Sequence, residues 1–208
     1  MPVEKSNKPN LELPLVEEFF TIQGEGYHSG KAAYFIRIGG CDVGCSWCDS
    51  RFSWNPDIHP MVSVDKIVEN VISSGANSVV VTGGEPLMWN LDYLCDELKN
   101  KNIATFIETS GAYPLSGKWD WICLSPKKNA PPNDKICRKA DELKVIIQNQ
   151  SDLAWAEKYK TAVRKKCRLF LQPEWSRFEG IIPVIVEYVK KNPEWQISLQ
   201  SHKYMHIP

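Results

Sequence analysis

From residue 33 onward, short apolar runs alternate with stretches whose apolar positions recur at helical spacing. That alternation is the mark of βαβ units and of a mainly parallel sheet. Residues 33–38, 78–82, 103–108, 120–124, 142–147 and 168–172 are the predicted strands, with helices fitted between them. Ser63 can cap a helix with the stripe Val64, Ile67, Val68, Val71 and Ile72, and Asn90 can cap one with Leu91, Leu94, Cys95 and Leu98. A later stripe is Ile181, Val184, Ile185, Tyr188 and Val189, where Pro183 fits only in a first turn. These stripes read as core. Six units are too few to close an eight-stranded barrel, so the expected fold is α/β, a partial, open (β/α)6-type TIM-like barrel of mainly parallel strands. Residues 15–22, followed by the turn Gln23-Gly24-Glu25-Gly26, predict an N-terminal hairpin that can cover an edge. Residues 1–14 read as a mobile tail, and 15–208 as a single domain large enough for its own core.

In such folds ligands gather at the C-terminal ends of the strands, and the polar clusters of this chain stand there. Cys41, Cys45 and Cys48 follow the first parallel strand, and Thr82-Gly83-Gly84-Glu85-Pro86 follows the second. Glu108-Thr109-Ser110-Gly111, Ser125-Pro126-Lys127 and Gln172-Pro173-Glu174 close later strands. Three thiolates within eight residues can hold three irons of a [4Fe-4S] cluster and leave the fourth open to a small molecule. A structural zinc site usually takes four ligands in two pairs, and the remaining Cys95, Cys123, Cys137 and Cys167 stand singly. Seven cysteines without an export signal argue against disulfides and for the cytoplasm. Twenty-five basic and twenty-five acidic residues cancel, which removes any global field for nucleic acid or an anionic membrane. No apolar run approaches the ~20 residues of a membrane span.

The spacing C-x-x-x-C-x-aromatic-C, with Trp47 in the aromatic position, resembles the signature of the radical S-adenosylmethionine (SAM) enzymes. In that family SAM chelates the open iron through its amino and carboxylate groups, and one electron cleaves SAM to methionine and a 5′-deoxyadenosyl radical. The resemblance implies SAM contacts from Trp47, Gly84, Glu85, Glu108, Ser110, Ser125, Pro126, Lys127, Gln172, Pro173, Glu174 and Trp175. More narrowly, several stretches are similar to the 7-carboxy-7-deazaguanine synthase family: Phe-Phe-Thr-Ile-Gln-Gly-Glu-Gly near the start, Arg37, Cys48-Asp49-Ser50, Gly83-Gly84-Glu85-Pro86, Glu-Leu-Lys-Val at 142–145 and the terminal Ser201-His202-Lys203-Tyr204-Met205-His206-Ile207-Pro208.

That likeness implies conversion of 6-carboxy-5,6,7,8-tetrahydropterin to 7-carboxy-7-deazaguanine, by hydrogen abstraction at C6, ring contraction and loss of ammonia. Substrate contacts are implied for Ile22, Gln23, Gly24, Glu25, Arg37, Thr82, His202 and Pro208. Arg37 suits the carboxylate, and the terminal segment is expected to fold back over the substrate. Ser50, where the family commonly has Thr, is the expected Mg²⁺ ligand and keeps the hydroxyl. The likeness also implies flavodoxin or ferredoxin as electron donor, and a homodimer. Two rivals remain open on the sequence, a glycyl-radical activating enzyme acting on a protein and a non-catalytic metal-binding scaffold.

Overall fold

The computed structural model of the protein describes residues 9–208. Among the described residues nine strands form one sheet: β1 (Glu12–Ile22), β2 (Ala32–Ile38), β3 (Met61–Ser63), β4 (Ser78–Gly83), β5 (Ala104–Thr109), β6 (Trp121–Leu124), β7 (Glu142–Ile147), β8 (Arg168–Pro173) and β9 (Trp195–Ile197). Their order is β3-β1-β2-β4-β5-β6-β7-β8-β9. β1 is antiparallel to both neighbours, and every other pair is parallel. The sheet keeps two edges and is an open, mainly parallel α/β fold, as expected.

The boundaries differ from the expected ones for physical reasons. β1 starts at Glu12, because Leu13 is fully buried and pairs with Val62 of β3, so Glu12, Leu13 and Pro14 belong to the sheet and not to a tail. Residues 1–8 of the expected tail lie outside the described residues. β3 and β9 are three residues each, too short to leave a periodic signal, and β9 makes a seventh parallel strand.

Helices α1 (Val64–Ser74), α2 (Asp92–Asn100), α3 (Asp134–Cys137), α4 (Asp152–Ala162), α5 (Phe178–Lys191) and α6 (Ser201–Met205) complete the chain. Ser63 caps α1 by accepting the Lys66 N–H at 3.3 Å, and Gly75 closes it in the left-handed region at φ 74°. The cap contributes about 1 kcal/mol. Burial of Val64, Ile67, Val68 and Val71, at roughly 1.5–3 kcal/mol each, is the larger effect. Ile72, expected in the same stripe, is exposed. α2 begins one residue later than expected, with Asn90 Oδ1 accepting the Asp92 N–H at 2.9 Å. No helix joins β5 to β6, where residues 110–120 hold Pro114 and the positive-φ Gly111 and Gly117. Pro183 lies in the second turn of α5 and not the first. The carbonyl it leaves without an amide partner belongs to exposed Glu179, within reach of water.

Strand alternation divides the chemistry. Ile36, Ile38, Val79, Val81, Ile107, Leu143, Val145, Leu169 and Leu171 belong to the packed core that includes the helices' buried positions. Phe35, Arg37, Thr82, Glu108, Lys144, Ile146 and Gln172, at the intervening positions, line a cavity on the other face.

Candidate active site

β2 ends at Ile38, and Gly39 and Gly40 turn the chain away, Gly40 at φ 107°, a conformation that side chains rarely tolerate. The cysteine loop that follows is pinned from several elements. Cys41 donates its N–H to the Trp54 carbonyl at 3.0 Å, Tyr113 donates to Asp42 Oδ2 at 2.5 Å, and Asn129 Nδ2 donates to the Gly44 carbonyl at 3.0 Å. Cys41, Cys45 and Cys48 all line the cavity, which has a volume of about 440 Å³. Burial, helped by the charges of Glu85 and the other two cysteines, pushes the Cys41 thiol up to about 11, and burial raises Cys45 as well.

The two glycines after β4 have a steric cause. A Cβ on Gly83 would overlap the Ile38 carbonyl, and one on Gly84 would overlap the Gly40 carbonyl while pressing on Cys41 Cβ. This close approach lets Glu85 donate its N–H to the Gly40 carbonyl at 2.8 Å and so locks the loop after β4 against the cysteine loop. Gly84→Ala should therefore separate the two loops and lower iron uptake on anaerobic reconstitution by more than half. Iron content and absorbance near the sulfide-to-iron bands check this.

The Glu85 side chain is a joint. Its Oε1 accepts from Leu87 N at 3.1 Å and Thr109 Oγ1 at 2.5 Å, and its Oε2 accepts from Ser110 N at 2.8 Å and Ser110 Oγ at 2.5 Å. Expected among the SAM contacts, this carboxylate has both oxygens taken up by the chain, because Thr109 ends the neighbouring parallel strand and Ser110 follows it. Glu174, also expected at SAM, accepts from the N–H and hydroxyl of Ser176 at 3.0 and 2.6 Å and caps a turn of 3-10 helix at Trp175–Arg177.

The same cavity has a charged floor. Lys144 donates to Glu25 Oε2 at 2.5 Å and Glu108 Oε2 at 2.9 Å, Gln23 Nε2 donates to Glu108 Oε1 at 3.0 Å, and Gln200 Nε2 donates to Glu25 Oε1 at 2.8 Å, so Glu108, expected among the SAM contacts, is joined to the expected substrate residues Gln23 and Glu25. Burial alone would raise the Glu25 carboxyl. The Lys144 ammonium, with bonds from Lys144, Gln200 and Gln172, outweighs it and holds Glu25 at about 2. Burial likewise opposes charge on Lys144, yet Glu108 and Glu25 carry it well above the ordinary lysine value. Arg37 stands at the rim, with Nε on Glu17 Oε1 at 2.6 Å and Nη1 on the Gly83 carbonyl at 3.4 Å. Helix α6 closes one side, its Ser201 N–H on the Gly24 carbonyl at 2.9 Å and Lys203 on Asp49 at 3.2 Å. His202 packs so tightly on Gly24 that a Cβ there would overlap its ring, and burial lowers its pKa.

The profile of the radical SAM superfamily matches residues 35–142. Over 196 residues the chain is 58% identical to the 7-carboxy-7-deazaguanine synthase of Flavobacterium psychrophilum, covering 94% of this chain and 93% of that protein. The chain belongs to the 7-carboxy-7-deazaguanine synthase family. It is a radical SAM enzyme. It is also 44% identical to the family member from Synechocystis, over 95% of this chain and 94% of the relative. The crystal structure of QueE from Escherichia coli superposes with a TM-score of 0.83 at 27% identity, covering 92% of this chain and 95% of that one.

Membership implies a [4Fe-4S] cluster and SAM, and the residues fit them. Three thiols from one loop share a cavity wall, beside a glycine-lined approach that any side chain would fill. Among the described residues no three His, Cys, Asp or Glu side chains converge on a single point as one ion requires. A cubane cluster makes a different demand, since each thiolate takes its own iron. Of the residues expected from the sequence, all line this cavity except Pro126, which is buried away from it. Lys144, Gln200, Asp49 and Lys203 also line it and were not anticipated. Among the described residues no helix is long and apolar enough to cross a membrane.

Proposed function

We propose that the enzyme converts 6-carboxy-5,6,7,8-tetrahydropterin to 7-carboxy-7-deazaguanine with loss of ammonia. The observation that carries this reading is that one cavity is lined both by the three thiols and by the acceptor-rich floor of Gln23, Glu25 and Glu108. Such a floor matches the amino and ring N–H groups of a pterin, a small polar ligand, better than a peptide backbone. Cluster and SAM, when bound at the cysteine wall, supply a hydrogen-abstracting radical. The chain's part is to hold one C–H bond of the substrate toward that wall and to keep water out.

Arg37 has two of its five donors engaged at Glu17 and Gly83 and offers others to the substrate carboxylate. Ile22, Thr82, His202 and Pro208 complete the pterin's surroundings. The SAM side draws on the Gly84 backbone, Trp47, Ser110, Ser125, Gln172 and Trp175, and on Lys127, whose Nζ bonds Ser125 and lies 5.4 Å from the Trp47 ring centre. Flavodoxin or ferredoxin as donor, a cytoplasmic setting and a homodimer belong to the same reading. The buried, unpaired Cys95, Cys123, Cys137 and Cys167 support a reducing compartment.

Mg²⁺ is assigned to Ser50, which lines the cavity with its hydroxyl 3.5 Å from Cys48 Sγ. Ser50→Ala should spare iron content and substrate-free SAM cleavage but reduce Mg²⁺ stimulation of product formation by about tenfold, the loss of one metal–oxygen contact. An alanine variant with the wild-type Mg²⁺ response removes this assignment. The substrate reading itself is tested with pterin deuterated at C6. Deuterium should appear in 5′-deoxyadenosine, and turnover without transfer would reject it.

A further inference from the structure

Lys144 stands in mid-strand on β7 with its side chain 4% exposed, and an ammonium so buried costs several kcal/mol unless paired. It is paired twice, with Glu25 from the turn after β1 and Glu108 at the end of β5. Two carboxylates and one ammonium leave one net negative charge on the cavity floor. Gln23 takes the far oxygen of Glu108 and Gln200 that of Glu25, where Gln172 is a further donor, and both carboxylates keep a lone pair for a ligand.

We propose that Lys144 is a positioning residue of the active site, holding the Glu25 and Glu108 carboxylates as paired acceptors for the N–H edge of a pterin-type heterocycle. The inference rests on the substrate class proposed above and assigns its recognition to a residue that bridges the two groups. Without the ammonium, two carboxylates within reach of one point repel, and one of them keeps a proton. An acceptor becomes a donor facing the ligand's own N–H, a mismatch of the kind that costs more than a missing bond.

Other ionisable groups surround the trio. Glu142 turns the opposite way, accepting from Trp121 Nε1 at 2.9 Å and Tyr27 N at 3.2 Å. Burial keeps the Cys123 thiol neutral, and it lowers both Lys127 and His202. Lys127 feels the Lys144 charge and His202 those of Glu25 and Glu108, so the titration is repeated in a His202→Gln background, where the pH dependence of the ratio that remains belongs to the Glu25 and Glu108 pair.

The test uses cluster-loaded, full-length protein and the fluorescent probe pterin-6-carboxylic acid, titrated under argon between about pH 5.5 and 7.5. Lys144→Met and Lys144→Gln are compared with wild type, with iron content and substrate-free SAM cleavage measured alongside. The expected result is binding weakened roughly 30-fold at the acid end, narrowing as pH rises and the extra carboxyl proton is lost. Iron content should be retained. A ratio near one, or a large ratio that does not change with pH, overturns the proposal. Failure of both variants to take up iron also overturns it, because Lys144 would then serve folding. If wild type does not bind the probe, the pterin reading falls and this inference with it. If wild type binds and the variants bind equally, the reading stands and only the role of Lys144 is lost.

Discussion

Cys41→Ala, Cys45→Ala and Cys48→Ala are each expected to lower reductive SAM cleavage to background. The three thiols share one cavity wall, and no other cysteine reaches it. A cluster held by two thiolates loses the third anchored iron and exposes its core to solvent. All three side chains are only half-buried, so alanine there leaves the hydrophobic core intact and the fold should be retained. Cys167→Ala is the control. It removes a buried thiol from the core, at a cost of about 1 kcal/mol, and should keep iron and activity. Circular dichroism, iron analysis and 5′-deoxyadenosine release separate the cases. A single Cys→Ala variant that still cleaves SAM would remove that residue from the ligand set.

Glu85→Ala is expected to have the largest effect on stability. Glu85 is 1% exposed, and its loss takes the shared acceptor away from the donors on Leu87, Thr109 and Ser110. A buried donor left without its acceptor costs about 1–3 kcal/mol, and with several affected the sum is a large share of the stability of a domain of this size. Glu85→Gln keeps the shape but turns an amide N–H toward other donors, and should cost roughly 1–3 kcal/mol. Denaturant midpoints at constant slope give both numbers. If Glu85 served chiefly as a SAM ligand, the glutamine variant would keep its midpoint and weaken only SAM binding. Equal midpoints would contradict the structural role assigned here.

The fold was legible where local pattern and burial agree. Val79, Val80 and Val81, or Leu143 with Val145 and Ile147, leave a strand signature that survives without knowledge of neighbours. The cysteines and Gly83 and Gly84 were legible because few backbones need such residues at such spacing. Lys144 was not. In Glu-Leu-Lys-Val the single Lys144 reads only as part of a family stretch, and nothing local shows that Glu25 and Glu108, far along the chain, meet it in the cavity. Glu85 was read as an open acceptor, since nothing local shows that Thr109 and Ser110, far along the chain, would occupy it. Pro126 follows the same strand end as Ser125 and Lys127 but is buried outside the cavity, a difference invisible in sequence.

The central claim is that one cavity joins radical generation at the cysteines to a pterin held on the floor of Gln23, Glu25 and Glu108. Anaerobically reconstituted protein should be incubated with SAM, dithionite, Mg²⁺ and 6-carboxy-5,6,7,8-tetrahydropterin, and the products read by mass spectrometry. The account predicts 7-carboxy-7-deazaguanine together with ammonia. Iron-loaded protein that cleaves SAM but returns the pterin unchanged would contradict it.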